Sequence, residues 1–205
     1  MATERYAKNR LLVDIISDAL DGGVDILQMR EKNKSKEELI RLGNELSLLC
    51  RKRNKIFIVN DDPMLAKEIN ADGVHMGQED FKKIPLQKAR NLIGRGKIIG
   101  ISTHSFEQFK SANASDADYI AFGPIFDTPT KNYFLGTSQI KSIMQITQKP
   151  VFFIGGINLS NIDKVLSEGA KNIALIRGIL EARDAKKAVS AFKERIDDSR
   201  PSKTK

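Results

Sequence analysis

Val24-Asp25-Ile26-Leu27-Gln28-Met29-Arg30-Glu31-Lys32 begins as a short apolar run and ends in Gln-x-Arg-x-Lys. In an extended segment alternate side chains share a face, so Gln28, Arg30 and Lys32 can converge on one point. Two cations and an amide at the end of a buried strand are costly without a partner, and an anion is the natural one. The same design recurs along the chain. Apolar strands end in Asn60-Asp61-Asp62, Gly77-Gln78-Glu79-Asp80, Ser102-Thr103-His104, Gly123-Pro124, Gly155-Gly156 and Arg177-Gly178.

Between these strands the apolar residues recur with helical period. Helices are expected over residues 11–20, 35–50, 63–69, 86–93, 106–115, 138–146, 160–168 and 185–195. Ser35 with Glu38, and Ser160 with Asp163, have the spacing of capping pairs. Four junctions form a quasi-repeat that joins helix to strand: Gly23-Val24-Asp25-Ile26, Ala71-Asp72-Gly73-Val74, Ala117-Asp118-Tyr119-Ile120 and Ala170-Lys171-Asn172-Ile173. Repeated βα units with short apolar strands imply a parallel sheet covered by helices. Polar residues gathered at strand C-termini are where α/β barrels place their chemistry. No Gly-x-Gly-x-x-Gly follows the first strand, which argues against a dinucleotide fold. The expected fold is therefore an α/β TIM (β/α)8-type barrel. Its first strand is not evident, because residues 1–10 are polar and the chain reads as opening on a helix. A single catalytic domain over residues 1–195 and a basic, disordered tail over 196–205 are expected.

The 205 residues carry a net charge of +8, with 29% charged and only 6% aromatic residues and no Trp. Lysines spread along helices and few stacking platforms favour anionic metabolites over nucleic acid. The single cysteine, Cys50, lies in a helical pattern and reads as core filler. A lone cysteine fits a reducing compartment, and no run is apolar and long enough to span a membrane, so a cytoplasmic setting is expected.

Asp61 and Asp80 each follow a strand and share one barrel face. Hard oxygen ligands of this kind suit Mg²⁺, which completes its shell with water and substrate phosphates. The competing reading is that Asp61 caps the next helix and Asp80 a turn. Gly155-Gly156 and Ile176-Arg177-Gly178 end the last two strands, where barrels commonly cradle phosphate on backbone N–H groups. His75, inside a strand, reads as a packed or hydrogen-bonded barrel residue rather than a catalyst.

Taken in order, these blocks resemble the thiamine phosphate synthase family over residues 11–182. The resemblance is carried by Gln28-Met29-Arg30-Glu31-Lys32, Asn60-Asp61-Asp62, the run from Ala71 to Asp80, Gly100-Ile101-Ser102-Thr103-His104, Phe122-Gly123-Pro124-Ile125-Phe126 with Thr128-Pro129-Thr130-Lys131, and Gly155-Gly156-Ile157-Asn158. It implies a Mg²⁺-dependent barrel that joins a hydroxymethylpyrimidine diphosphate to a thiazole phosphate by loss of pyrophosphate. By motif, Gln28, Met29, Arg30, Glu31, Lys32, Asn60, Ser102 and Lys131 would hold the pyrimidine diphosphate. Arg30, Lys32 and Lys131 would be the catalytic cations, and Asp61 and Asp80 the metal ligands. Thr128, Pro129, Thr130, Gly156, Ile176 and Arg177 would hold the thiazole phosphate. Arg177 stands where this family usually has a small hydroxyl residue, and the segment between Asp80 and Ser102 is slightly long for it. A thiazole tautomerase-like paralogue and a non-catalytic phosphate-binding barrel are the competing functions. Small phosphorylated molecules are the expected partners, with nucleic acid and membrane excluded. Oligomeric state stays open, a homo-oligomer included.

Overall fold

The computed structural model describes residues 1–129 and 131–200; Thr130 and residues 201–205 lie outside the described residues. The β-branched and aromatic runs form seven strands: β1 Ile26–Met29, β2 Ile56–Asn60, β3 Gly73–Met76, β4 Ile98–Thr103, β5 Tyr119–Phe122, β6 Val151–Ile154 and β7 Asn172–Ala174. All neighbouring pairs are parallel, and spatial order follows chain order from β1 to β7. Helices connect them: α1 Leu12–Asp21, α2 Lys36–Arg51, α3 Pro63–Glu68, α4 Gln78–Lys83, α5 Leu86–Ile93, α6 Phe106–Asn113, α7 Ile140–Ile146, α8 Ile162–Leu166, α9 Arg177–Leu180 and α10 Ala185–Asp198. The fold is an α/β barrel of TIM type.

Where the sequence shows no evident first strand, Met1 and Ala2 lie between the two ends of the sheet. Ala2 makes a parallel bridge to Met29; its N–H donates to the Gln28 carbonyl at 2.7 Å and its carbonyl accepts the Arg30 N–H at 2.9 Å. The Met1 amino group donates to the Leu175 carbonyl, one residue beyond β7, at 2.7 Å. The polar residues 1–10 thus supply a minimal pairing between the two sheet ends, followed by a 3-10 turn at Glu4–Tyr6. So short a bridge has no periodicity for a sequence pattern to reveal.

The core lies between the outer face of the sheet and the helices. Phe57, Val59, Val74, Met76, Ile99, Phe122 and Phe153 are buried there against Leu46, Cys50, Leu65, Phe109, Ile143 and Val165. Cys50 is a free, buried thiol, and burial pushes its pKa up to about 12, which suits the packing role expected of it. The capping box of α2 is present: Ser35 Oγ accepts the Glu38 N–H at 3.2 Å and Glu38 Oε2 accepts the Ser35 N–H at 2.7 Å. The pair expected at Ser160 is not. Ser160 Oγ instead donates to Asn158 Oδ1 at 2.6 Å, and α8 begins later, behind Asn161. Helix α10 runs to Asp198, three residues into the expected tail, with Ser199 as its C-cap; residues 201–205 of that tail lie outside the described residues.

Three of the four junctions of the quasi-repeat share a physical function, while Asp25 of the first pairs with Lys55 and Lys193. Asp72 Oδ2 accepts the Phe57 N–H at 2.8 Å, Asp118 Oδ2 accepts the Ile99 N–H at 2.7 Å, and Asn172 Nδ2 donates to the Val151 carbonyl at 3.2 Å. Each polar residue at the foot of a strand satisfies a backbone group of the preceding strand that would otherwise go unpaired.

Phe122 is fully buried and sets its ring edge-on to Phe153 at 6.2 Å. Phe122→Ala is expected to lower unfolding free energy by about 3–5 kcal/mol, read from urea denaturation. A loss below about 1 kcal/mol would mean that this layer is not the packed core.

Candidate active site at the C-terminal mouth of the barrel

The pleat of β1 divides the Gln28 to Lys32 block. Met29 is buried and packs outward beside Gly43 of α2, where an added Cβ would lie 3.4 Å from the Met29 methyl group. Gln28, one residue earlier, points into the barrel and is hydrogen-bonded to the Tyr119 hydroxyl. Its Oε1 is buried, with no hydrogen-bond partner among the described residues. Arg30 follows on the same side as Gln28, half-buried, and Lys32 is exposed beyond it. Glu31 turns back to the N-terminal segment, where its carboxylate accepts the Glu4 N–H and the Thr3 hydroxyl. Of the five residues in the block, Met29 is therefore engaged in the core and Glu31 with the N-terminal segment.

Asp61 and Asp80 meet. Asp61 sits at φ 67°, in the left-handed region, and its N–H donates to the His75 carbonyl at 2.7 Å. This backbone conformation is rare outside glycine and costs about 1–2 kcal/mol for most residues, less for Asp and Asn. Burial, a hydrogen bond to the Asp80 carboxyl group and the Asp80 charge together push Asp61 up to about 6, while Arg30 and Lys32 pull it down. Asp61 does not cap α3. That role belongs to Asp62, whose Oδ1 accepts the Met64 and Leu65 N–H groups at 2.9 and 3.0 Å. Asp80 is partly a cap, since Oδ2 accepts the Gly77 N–H at 2.9 Å ahead of α4. That bond aims the rest of its carboxylate at Asp61. No cluster of three or more His, Cys, Asp or Glu side chains exists among the described residues, so a cation here would have only this pair as carboxylate ligands. A pair with open positions is the donor set that suits Mg²⁺.

Below the mouth runs a buried polar chain. His75 Nδ1 lies 2.9 Å from the Tyr119 hydroxyl and Nε2 2.8 Å from Ser102 Oγ, with the His75 and Tyr119 rings stacked at 5.4 Å. Burial first, then the Arg30 charge, hold His75 down to about 4, so the imidazole is neutral. Gly100 makes room for the tyrosine: a Cβ there would fall 2.0 Å from the ring. The Gln78 amide donates to the Ser102 carbonyl. Ser102 is thus oriented through both its hydroxyl and its backbone. His75 is a hydrogen-bonded barrel residue, as its place within a strand suggested. Tyr119 and Gln78 were not singled out by sequence; the one available signal was the small Gly100 facing an aromatic on the next strand.

The remaining residues lie on loops. Asn60 ends β2, half-buried, its carbonyl accepting the Asp62 N–H at 2.9 Å. Thr128 and Lys131 form an isolated antiparallel bridge around Pro129, with Thr130 outside the described residues. Lys131 is exposed, its ammonium 5.8 Å from the centre of the Tyr133 ring rather than against the carboxylates. Gly155 and Gly156 have φ of 101° and 65°, and a Cβ on Gly156 would lie 2.4 Å from the Asp127 carbonyl. The Gly155 carbonyl accepts the Phe126 N–H at 2.9 Å. Across a trans peptide the Gly156 N–H must then point the opposite way, away from that loop. Arg177 is exposed and opens α9, a short helix not foreseen from sequence, which sets its unpaired leading N–H groups at the end of β7 directly after Ile176.

Ionising Asp61 beside Asp80 opposes folding. Because its folded-state pKa is raised above 3.8, its contribution to stability is present at low pH and is lost as pH rises through about 6. Asp61→Asn, which tolerates the same backbone conformation, should therefore stabilise the chelator-treated protein at pH 7.5 by on the order of 1 kcal/mol after solvent screening. The gain should vanish below pH 4, as read from urea melts. A loss of stability at pH 7.5 would contradict the like-charge account.

The chain matches the model of a family described as thiamine monophosphate synthase over residues 1–179. It is 38% identical to a thiamine-phosphate synthase of Halalkalibacterium halodurans over 92% of this chain and 90% of that one. It is 36% identical to a thiamine-phosphate synthase of Thermosynechococcus vestitus over 93% of this chain, but spans only 54% of that longer relative. Its fold superposes on a thiamine phosphate pyrophosphorylase from Pyrococcus furiosus with a TM-score of 0.86 and 33% identity, covering 97% of this chain and 94% of that one. The α/β barrel agrees with these likenesses, and the chain belongs to the thiamine monophosphate synthase family.

Proposed function

We propose that the protein is a Mg²⁺-dependent thiamine-phosphate synthase. In this reading it joins 4-amino-2-methyl-5-hydroxymethylpyrimidine diphosphate to 4-methyl-5-(2-hydroxyethyl)thiazole phosphate, releasing pyrophosphate. The observation that carries the reading is that Asp61 meets Asp80 beside Arg30 and Lys32, with the Asp61 carboxyl pushed up to about 6 by burial and then by the hydrogen bond to Asp80 and its charge. Two carboxylates that repel one another next to two cations suit a site for a cation and a polyanion together.

The pyrimidine is held by Gln28, whose unpartnered buried Oε1 is an acceptor for an amino N–H of the ring. Asn60 and Ser102 border the same half-site. Arg30 and Lys32 take the diphosphate, joined by Lys131 from the loop after β5. When the methylene C–O bond breaks, its electron pair leaves with the diphosphate, and these cations stabilise the growing negative charge. Asp61 and Asp80 would hold Mg²⁺, which when bound neutralises diphosphate oxygens in the same sense. The thiazole nitrogen lone pair then forms the new C–N bond to the methylene carbon. Thr128, Pro129, Thr130, the Gly156 N–H and the start of α9 at Ile176-Arg177 hold the thiazole phosphate, so that the two substrates meet already oriented. No protein nucleophile is used. Small phosphorylated molecules are the substrates in this reading, with no nucleic acid and a cytoplasmic setting. No helix of the described residues is long and apolar enough to cross a membrane. A thiazole tautomerase-like activity would leave the diphosphate half-site without a task, and the Asp61–Asp80 pair argues against it.

Pyrophosphate release should require both substrates and Mg²⁺, and Asp80→Ala should reduce it by about 10²-fold or more with the fold intact by circular dichroism. Near-normal release in Asp80→Ala at limiting Mg²⁺ would sink the metal assignment. Arg177→Ser should be tolerated, with the KM for thiazole phosphate rising less than about tenfold, because backbone N–H groups carry most of that contact. Complete loss of thiazole phosphate binding would instead assign the contact to the guanidinium.

A further inference from the structure

Gln28 and Arg30, which bear the pyrimidine and diphosphate contacts, are clamped by the same N-terminal segment. Ala2 pairs with both the Gln28 carbonyl, at 2.7 Å, and the Arg30 N–H, at 2.9 Å. Two residues on, the contact changes from backbone to side chain. The Glu31 carboxylate accepts the Glu4 N–H through Oε1 and the Thr3 hydroxyl through Oε2, the latter at 3.5 Å. Lys34, from the loop that follows, closes the arrangement with Glu4 Oε2 at 2.8 Å. The segment over residues 2–4 is therefore tied to the end of β1 and to the loop after it at successive points, beside the strand end that carries Arg30.

We propose that Glu31 is a positioning residue: its carboxylate latches residues 3–4 against the end of β1 and thereby holds the backbone that presents Arg30 and Lys32 to the diphosphate. The inference rests on the diphosphate half-site described above. Glu31 itself touches no substrate. The physical reason is that β1 ends at Met29, so the backbone bearing Arg30 and Lys32 has left the sheet ladder; the bonds from Glu31 to residues 3–4 hold it, and an unpaired carboxylate there would leave the loop free to splay. Splayed, the cations lose the fixed geometry from which electrostatic stabilisation draws its strength.

The test compares steady-state KM for each substrate in the full chain. Glu31→Ala should raise the KM for the pyrimidine diphosphate by about tenfold, the loss expected for a charge-assisted hydrogen bond, and leave the KM for thiazole phosphate unchanged. Glu31→Gln keeps an oxygen acceptor for the Glu4 N–H and should restore most of the loss. Glu4→Pro removes the N–H from the other side. Thr3 is extended, at φ −154° and ψ 135°, and Glu4 opens the 3-10 turn, so proline is admissible there. It should reproduce the Glu31→Ala effect, and the double variant should show no further rise. Glu4→Pro also carries the test if Glu31→Ala does not fold. Equal shifts in both KM values, no shift, additive effects in the double variant, or a Gln variant as impaired as Ala would each overturn the latch. Arg30→Ala is the control for the half-site. If it leaves the diphosphate KM unchanged, the functional reading fails; if it raises that KM while Glu31→Ala does not, only the latch fails.

Discussion

The site depends on one constraint, the strict alternation of side chains along a strand that ends at a barrel mouth. In β1 it sends Leu27 and Met29 into the layer beneath the helices and Gln28 into the interior. Just past the strand Arg30 stands beside Asp61, and Glu31 turns toward the N-terminal segment. Were the register to slip by one residue, the cations would face helix α2 and the apolar residues the substrates. The pairing of β1 with β2 on one edge and Ala2 on the other prevents that slip.

The mouth also concentrates charge at a cost to the fold. Asp61 occupies a left-handed backbone position and faces another carboxyl group, and both features oppose stability. Conflicts of this kind persist where function requires them. The adjacent Arg30 and Lys32 relieve part of the repulsion, which sets the two signs of charge side by side. Beneath them the neutral His75, Tyr119 and Ser102 form a hydrogen-bonded floor. A neutral floor does not compete with the charged groups above it for an incoming anion. The remaining opening in that floor is the unpaired Gln28 oxygen.

Much of this was legible in the chain. The βα alternation, all seven strands, the capping box at Ser35 and the buried Cys50 followed from local period and composition, because each is set by residues near one another in sequence. The grouping of Asp61 with Asp80 was legible too, since both lie at strand ends that a parallel barrel brings to one face. What escaped were short elements and long-range partners. The Ala2 bridge, α4 and α9 have too few residues to display a period. The assignment of helix capping to Asp62 rather than Asp61 turned on which of two adjacent carboxylates reaches the Met64 and Leu65 N–H groups.

By itself the sequence determined the barrel, the order of its strands and which residue types gather at its C-terminal end, because hydrophobic period and turn chemistry act locally. Only the tertiary structure decided which members of each motif face the site. Glu31 and Arg30 are neighbours of the kind that a motif treats alike, yet one grips residues 3–4 and the other stands beside Asp61. Lys131 belongs to the same family pattern as Arg30, yet it lies over Tyr133. Partners 27 or 44 residues apart, such as Glu31 with Glu4 and His75 with Tyr119, are set by strand register and barrel curvature. No local pattern encodes those distances.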